Sequence, residues 1–259
     1  MFKKITLILI TTFAIIFNVN ASSDGELLLE KNNPTEVKEC WETFNRASFA
    51  LNQGLDKVIF KPVASIYKTF PLPIKNGVSN SLDNLSNVVT IPNNILQGEF
   101  NKAALNGGRF IINTTLGILG IIDVASYLGL EKNDKEDYGQ TLAVHGAGPG
   151  CYIVLPVLGP STARDASASL INFFGGDAWY NVTVKNDTQY FSDVDYYASK
   201  ITDGVNFRAK NYDSIENLEQ NSIDFYASVK SLYLQDRQQK ILNVKKIVNT
   251  QSDSDWEEI

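Results

Sequence analysis

The sequence predicts a mainly α-helical protein, on three observations. Apolar residues return at intervals near 3.6 in several separate stretches, Pro and Gly divide those stretches from one another, and only Tyr152 to Leu158 carries a short strand pattern. At 259 residues the chain can bury a sizeable core without a disulfide or a metal, and it reads as one domain with no internal repeat.

The first 21 residues have the layout of a cleaved secretory signal. Lys3 and Lys4 form the basic region, Ile5 to Phe17 the apolar region, and Val19-Asn20-Ala21 the small-residue cleavage site. Residues 22–34 form a flexible polar leader that ends in Asn32-Asn33-Pro34. Thr35 is a candidate N-cap for an amphipathic helix marked by Val37, Cys40, Trp41, Phe44, Leu51 and Leu55. After Pro71 and Pro73 a second helix places Ile74, Val78, Leu82, Leu85 and Val89 on one face, and Pro92 is expected to end it. Phe100, Ala103, Ala104 and Gly107 open a third.

That third segment loses all charge in FIINTTLGILGII, from Phe110 to Ile122, and resumes after Asp123 as VASYLGL. The run approaches membrane length, but its interior Gly117 and Gly120 suit a helix packed closely against others. EKNDKED, residues 131–137, reads as a solvated loop. Ala166 to Phe174 is a short apolar helix closed by Gly175-Gly176. The most regular helix carries Ile215, Leu218, Ser222, Phe225, Val229 and Leu232, with Asp213 or Ser214 as its cap. The helical domain spans residues 35–243, and an acidic tail, 244–259, follows.

Removal of Lys3 and Lys4 moves the formal charge from −6 to about −8, which argues against a nucleic-acid partner. Cys40 and Cys151 are too few for a disulfide scaffold; export would permit one bridge between them, and two free thiols fit equally well. One histidine and two cysteines without a C-x-x-C leave no metal set, and no cofactor motif is present.

The stretch HGAGPGCYIVLPVLGPSTARD, residues 145–165, holds the single histidine and one cysteine. His145 and Cys151 raise the alternative of a secreted hydrolase that uses His145 with Cys151 or a serine. No orienting group accompanies the pair, and the surroundings match no nucleophile elbow. The glycines fit neither G-x-G-x-x-G nor a phosphate loop followed by Lys-Ser or Lys-Thr. Glycine and proline here better suit a tight backbone path between apolar runs.

DYGQTL, from Asp137 to Leu142, followed by this Gly-rich turn and YIVLPVLGPSTARD, resembles the signature of the MlaA/VacJ family of outer-membrane phospholipid-transport proteins. WETFNRASFALN from Trp41, KNGVSNSLDNL from Lys75, IPNNILQGEF from Ile91 and SIDFYASVKSLYLQDR from Ser222 agree with it, in the family's order. The resemblance implies a non-enzymatic, ring-like helical bundle embedded in the outer membrane, with an amphipathic channel and short irregular Gly/Pro-rich segments. It implies removal of misplaced phospholipids from the outer leaflet, association with a porin trimer, and delivery to a periplasmic, MlaC-like lipid carrier. Candidate residues of the lipid pathway are Arg109, Gly117, Gly120, Asp123, Gly148, Gly150, Arg164 and Asp165. For Arg46, Asp123, Arg164 and Asp165, internal ion pairing is favoured over a head-group role. Two departures stand out: no acylation cysteine follows the signal, and Cys151 and Phe225 occupy positions where many similar sequences carry proline.

Overall fold

The computed structural model describes residues 37–171, 180–181 and 192–242. The expected signal, leader, acidic tail and Gly175-Gly176 closure lie outside these residues. The protein is mainly helical. Helix α1, Glu42–Leu55, continues through a π-helical turn, Asp56–Phe60, into α2, Lys61–Lys68. Helix α3, Leu72–Leu96, folds back through Gly98 onto α4, Phe100–Thr115. The short α5, Val124–Tyr127, and α6, Tyr138–Val144, lead to an antiparallel hairpin of β1, Tyr152–Leu155, and β2, Gly159–Thr162. Tyr152 pairs with Thr162 and Leu155 with Gly159. Helix α7, Ala163–Ile171, follows; α8, Asp193–Lys210, α9, Tyr212–Asn221, and α10, Phe225–Ile241, complete the described chain.

The helices bury the opposite face from the one an aqueous protein buries. In α1 the apolar stripe predicted from Trp41, Phe44 and Leu51 faces outward, and Asn45 and Ser48 are the buried side chains. In α3 the buried residues are Gly77, Ser79, Asn84, Thr90, Asn93 and Asn94, while Leu72, Ile74, Ile95 and Leu96 are exposed. Helix α4 buries Ala103, Asn106, Arg109 and Asn113. The α3–α4 hairpin is therefore joined by side-chain amides: Asn106 Nδ2 donates to Asn94 Oδ1 at 2.9 Å, and Asn84 Nδ2 to Thr114 Oγ1 at 2.8 Å. A small apolar core of Tyr152, Val154, Tyr226 and Leu234 sits between the hairpin and α10, flanked by Val37, Phe49 and Tyr233.

Several elements differ from the sequence expectation, each for a local reason. The N-terminal helix starts at Glu42 because residues 37–40 are held extended: Glu39 bridges to Tyr152, and Cys40 is disulfide-bonded to Cys151, 111 residues away. Closing so long a loop removes denatured-state entropy worth about 4 to 5 kcal/mol. Pro92 lies inside α3 and does not end it. Pro92 has no N–H for the carbonyl four residues back, Val88 O, yet the helix continues past it, and the Asn93 side chain adds a bond to the next carbonyl, Val89 O, at 2.7 Å. The helix predicted from Ile215 to Leu232 breaks at Ser222, where Asp224 caps α10 by accepting from Ala227 N at 3.1 Å. Neither Asp213 nor Ser214 is an N-cap; Asn211 is, and Asp213 pairs instead with Lys68. The loop 131–137 is irregular as expected but only partly solvated, with Glu136 buried against α3.

The uncharged run also departs from helix. Helix α4 ends at Thr115, and Leu116 to Ile122 form a tight turn in which Ile118 and Leu119 have φ of 52° and 56°. Left-handed backbone is costly for a β-branched residue. The turn is held by Gly120 N donating to Asn113 O at 2.8 Å and Ile122 N to Gly117 O at 2.9 Å. Gly120 has φ 88°, and a Cβ there would lie 2.5 Å from Asn84 Cβ. Leu116, Ile118, Leu119, Ile121 and Ile122 are all exposed at this tip. No described helix is long and apolar enough to cross a membrane.

Asn45 stands in for a neighbouring strand. Its Nδ2 donates to Tyr152 O at 3.1 Å and its Oδ1 accepts from Val154 N at 2.9 Å; two helical turns on, Asn52 does the same for Leu155 O at 2.9 Å and Val157 N at 2.7 Å. Asn45→Ala should therefore orphan two buried backbone groups and destabilise the protein by about 2 to 4 kcal/mol, read as a lowered midpoint in thermal or denaturant unfolding. An unchanged midpoint would show that water replaces the amide at no cost.

Candidate functional site

Polar groups buried by the outward turn of the apolar faces form three connected networks. The first is centred on Arg237 of α10. Its Nε and Nη2 donate to Asp165 at 2.9 Å each, and its Nη1 and Nη2 donate to Asp137 at 2.6 and 2.7 Å. Asp137 is also the N-cap of α6, accepting from Gln140 N at 2.9 Å. Tyr233 and Arg164 complete the shell of Asp165, at 2.8 and 3.0 Å. Burial pushes the Asp165 carboxyl up, but the Arg237 and Arg164 guanidiniums outweigh it and hold the group at about 2. Gly139 is required by this packing, since a Cβ there would come within 2.4 Å of both Arg237 Nη2 and Asp165 Oδ1.

The second network joins α6 to the end of α3. Gln140 Nε2 donates to Glu136 Oε2 at 2.6 Å, Gln97 Nε2 reaches both Glu136 and Thr141 at 3.0 and 3.1 Å, and Thr141 Oγ1 donates to Asn93 Oδ1 at 2.6 Å. Burial raises the pKa of Glu136 above the usual carboxylate value. The third lies at the far end of α4. Arg109 Nη2 donates to both oxygens of Asp123 at 2.9 and 2.8 Å, Asn113 Nδ2 donates to Asp123 Oδ1 at 2.9 Å, and Ser126 Oγ to Oδ2 at 2.7 Å. Arg109 Nη1 also donates to Leu130 O. Burial raises Asp123, but the hydrogen bonds from Ser126 and Asn113 and the Arg109 charge prevail and bring it to about 2.

The predicted pathway residues thus fall into two groups. Arg109, Gly117, Gly120 and Asp123 surround the end of α4, whereas Gly148, Gly150, Arg164 and Asp165 lie around the hairpin and α7. Gly150, with φ 67°, packs against Ala163, and Gly148 faces open space. The four charges weighed as ion pairs are paired: Arg46 joins Glu42 and Asp224 at 2.8 and 3.0 Å, and the others pair as described. His145 ends α6 in the open, its Nδ1 2.8 Å from Thr141 O. Cys151 is spent in the disulfide with Cys40, so the proposed His–Cys pair has no thiolate to act with. Among the described residues no cluster of potential metal ligands occurs.

Sequence reasoning passed over Asn45, Asn84, Asn93, Asn94, Gly139 and Arg237. The signal was available in the asparagines, which recur at helical spacing at 80, 84 and 87, at 106 and 113, and at 45 and 52.

Two outcomes follow. Gly139→Ala should destabilise by about 3 kcal/mol or more, because it forces a guanidinium and a carboxylate apart inside the protein; an unfolding midpoint within error of the parent would contradict that packing. Because folding lowers the Asp165 pKa, its contribution is full above about pH 5 and is lost as pH falls toward 2, a loss of about 2 kcal/mol. Denaturant unfolding measured between pH 5 and pH 2 should show this decline, and Asp165→Asn should flatten it.

Residues 37–240 match the family described as MlaA lipoprotein. A Rickettsia bellii (strain RML369-C) protein is 34% identical over 228 residues, covering 87% of this chain and 83% of its own. The Escherichia coli (strain K12) protein called intermembrane phospholipid transport system lipoprotein MlaA is 32% identical over 200 residues, covering 75% and 74%. A solved structure described as the structural basis for maintenance of bacterial outer membrane lipid asymmetry superposes with a TM-score of 0.66 at 31% identity, covering 79% of this chain and 99% of that one. With the Arg237, Asn93 and Arg109 networks all inside the matched span, the chain belongs to the MlaA lipoprotein family.

Proposed function

We infer that this protein is the outer-membrane component of intermembrane phospholipid transport, withdrawing misplaced phospholipids from the outer leaflet and passing them to a soluble periplasmic carrier. The observation that carries this is the reversed polarity of the helices, with side-chain amides and ion pairs inside and large apolar side chains outside. An exterior with so many exposed large apolar side chains is a liability in water and an asset against acyl chains. The exposed turn 116–122 supports embedding from the side, since it offers five apolar side chains to lipid without a spanning helix. The Cys40–Cys151 bridge supports export to an oxidising compartment, in keeping with a cleaved signal. Membership of the MlaA family and the intermembrane phospholipid transport name of the Escherichia coli relative support phospholipid transport, and a porin trimer and an MlaC-like carrier are the partners this reading proposes.

In this scheme the two groups of candidate residues mark two stretches of one lipid path, one beside the apolar turn and one beside the Gly-rich hairpin. Both are lined by fixed charges already neutralised in pairs, so a head group can pass without meeting an isolated buried charge.

Cells lacking the protein should accumulate phospholipid in the outer leaflet. Leu116→Gln with Leu119→Gln should reduce membrane retention severalfold without unfolding, because both side chains are exposed. Gly120→Leu, whose side chain would meet Asn84 from a backbone held at φ 88°, should lower the unfolding midpoint and leave phospholipid on the surface, whereas His145→Ala should behave as the parent. Normal transport by Gly120→Leu together with failure of His145→Ala would overturn the transport reading in favour of chemistry at the loop.

A further inference from the structure

The bridge between Cys40 and Cys151 joins two sulfurs in unequal settings. Cys40 is exposed, as are Lys38 two residues before it and Trp41 after it, whereas Cys151 is half-buried just ahead of β1. The chain around Cys151 is fixed from its own side. Its carbonyl accepts from Ala163 N at 2.8 Å, Pro149 O accepts from Arg164 N at 3.2 Å, and Gly150 runs so close to Ala163 that a Cβ on it would lie 2.9 Å from the alanine methyl.

The segment that carries Cys40 is held without help from the sulfurs. Lys38 O accepts from Tyr152 N at 2.9 Å, and the Glu39 carboxylate accepts from Asn45 Nδ2 at 3.0 Å, from Lys230 Nζ at 2.6 Å and from the Tyr226 hydroxyl. On the other side Trp41 O accepts from Asn45 N at 2.9 Å, where α1 begins. These bonds flank Cys40 at both ends and keep its Cα 5.6 Å from that of Cys151. Two thiols placed this way stay within reach of each other when the bond between them is open, so closing it again is an intramolecular step. A bridge sealed in a core differs, because no outside thiol can reach its sulfurs.

We propose that Cys40 is a site of thiol–disulfide exchange with an external disulfide, and that Cys151 is its resolving partner. The Cys40 thiolate attacks one sulfur of that disulfide; a bond forms between Cys40 and the oxidant, the oxidant's own S–S bond breaks, and its second sulfur leaves as a thiolate that takes up a proton. The Cys151 thiolate then attacks Cys40 Sγ, the Cys40–Cys151 bond forms, and the oxidant's first sulfur leaves and is protonated. Two electrons pass from the two protein thiols to the oxidant, and the two thiol protons end on its sulfurs. A dithiol reductant runs the steps backwards, its thiolate attacking the exposed Cys40 Sγ and Cys151 leaving. Exchange needs only these two cysteines and the oxidant, so it holds whatever cargo the protein carries.

The test uses the full-length protein in detergent, reduced, freed of reductant and exposed to glutathione disulfide, with intact mass read against time. The reduced parent should return to the internal bridge with no lasting adduct. Cys151→Ser should hold one glutathione on Cys40, and Cys40→Ser should take up glutathione on Cys151 at least about tenfold more slowly, while in denaturant the two variants should react alike. Because a serine variant can lose its fold, the reduced parent is also labelled with a limiting amount of iodoacetamide and mapped, and Cys40 should carry most of the label. The proposal is overturned by equal rates for the two folded variants, by faster modification of Cys151, by a rate difference that survives in denaturant, by equal labelling of the two thiols in the reduced parent, or by a reduced parent that ends with glutathione on both cysteines.

Discussion

A helical protein that shows its apolar residues to the outside must be held together from within by hydrogen bonds. That constraint explains most of what is unusual here. Packing between α3 and α4 cannot draw on leucine against leucine, so it draws on Asn94 against Asn106 and Asn84 against Thr114. Such bonds are modest individually, but each amide is buried, so the alternative to its bond is an unpaired polar group inside the protein. Directional bonds also tolerate less slippage than apolar contacts, and they hold these helices in one register.

The same constraint explains why the family's signature is scattered along the chain. DYGQTL supplies Asp137, Gly139, Gln140 and Thr141; TARD supplies Asp165; LQDR supplies Arg237; and IPNNILQGEF supplies Asn93 and Gln97. These lie up to 144 residues apart and meet in one connected set of bonds, in which one guanidinium serves two carboxylates and one carboxylate also caps a helix. Removing Asp165 or Arg237 strands the other as a buried charge, at a cost of about 3 to 5 kcal/mol. The hairpin motif works likewise, for Asn45 and Asn52 supply to β1 what a third strand would have supplied.

Much of the architecture is legible in the sequence, and its failures share one cause. The periodicities near Phe44, Val78 and Phe100 identify helices correctly, and Tyr152 begins the hairpin. The stripes mislead about what lies inside, because Trp41, Phe44, Leu51 and Ile74 are exposed while the asparagines beside them are buried. Pro92 lies within a helix that runs on past the one bond it cannot make, and Ser222 interrupts a perfect spacing because Asp224 makes a better start than continuation does. The turn 116–122 is invisible to periodicity, since its apolar composition suits a helix and only the contact between Gly120 and Asn84 dictates otherwise. Arg237 escapes notice because its partners are about seventy and a hundred residues away.

The bond between Cys40 and Cys151 also fixes how mechanical load travels through the molecule. Tension on the chain ahead of Val37 passes at Cys40 across the sulfurs into the start of β1, and the peptide link onward to Trp41 carries only part of it. There the load is shared by the hairpin, by Glu39 bonded to Tyr226 and Lys230, and through Tyr226 by α10. Any tether at the amino-terminal side therefore pulls on the best-packed region of the protein, and α1 is shielded from being peeled away one turn at a time.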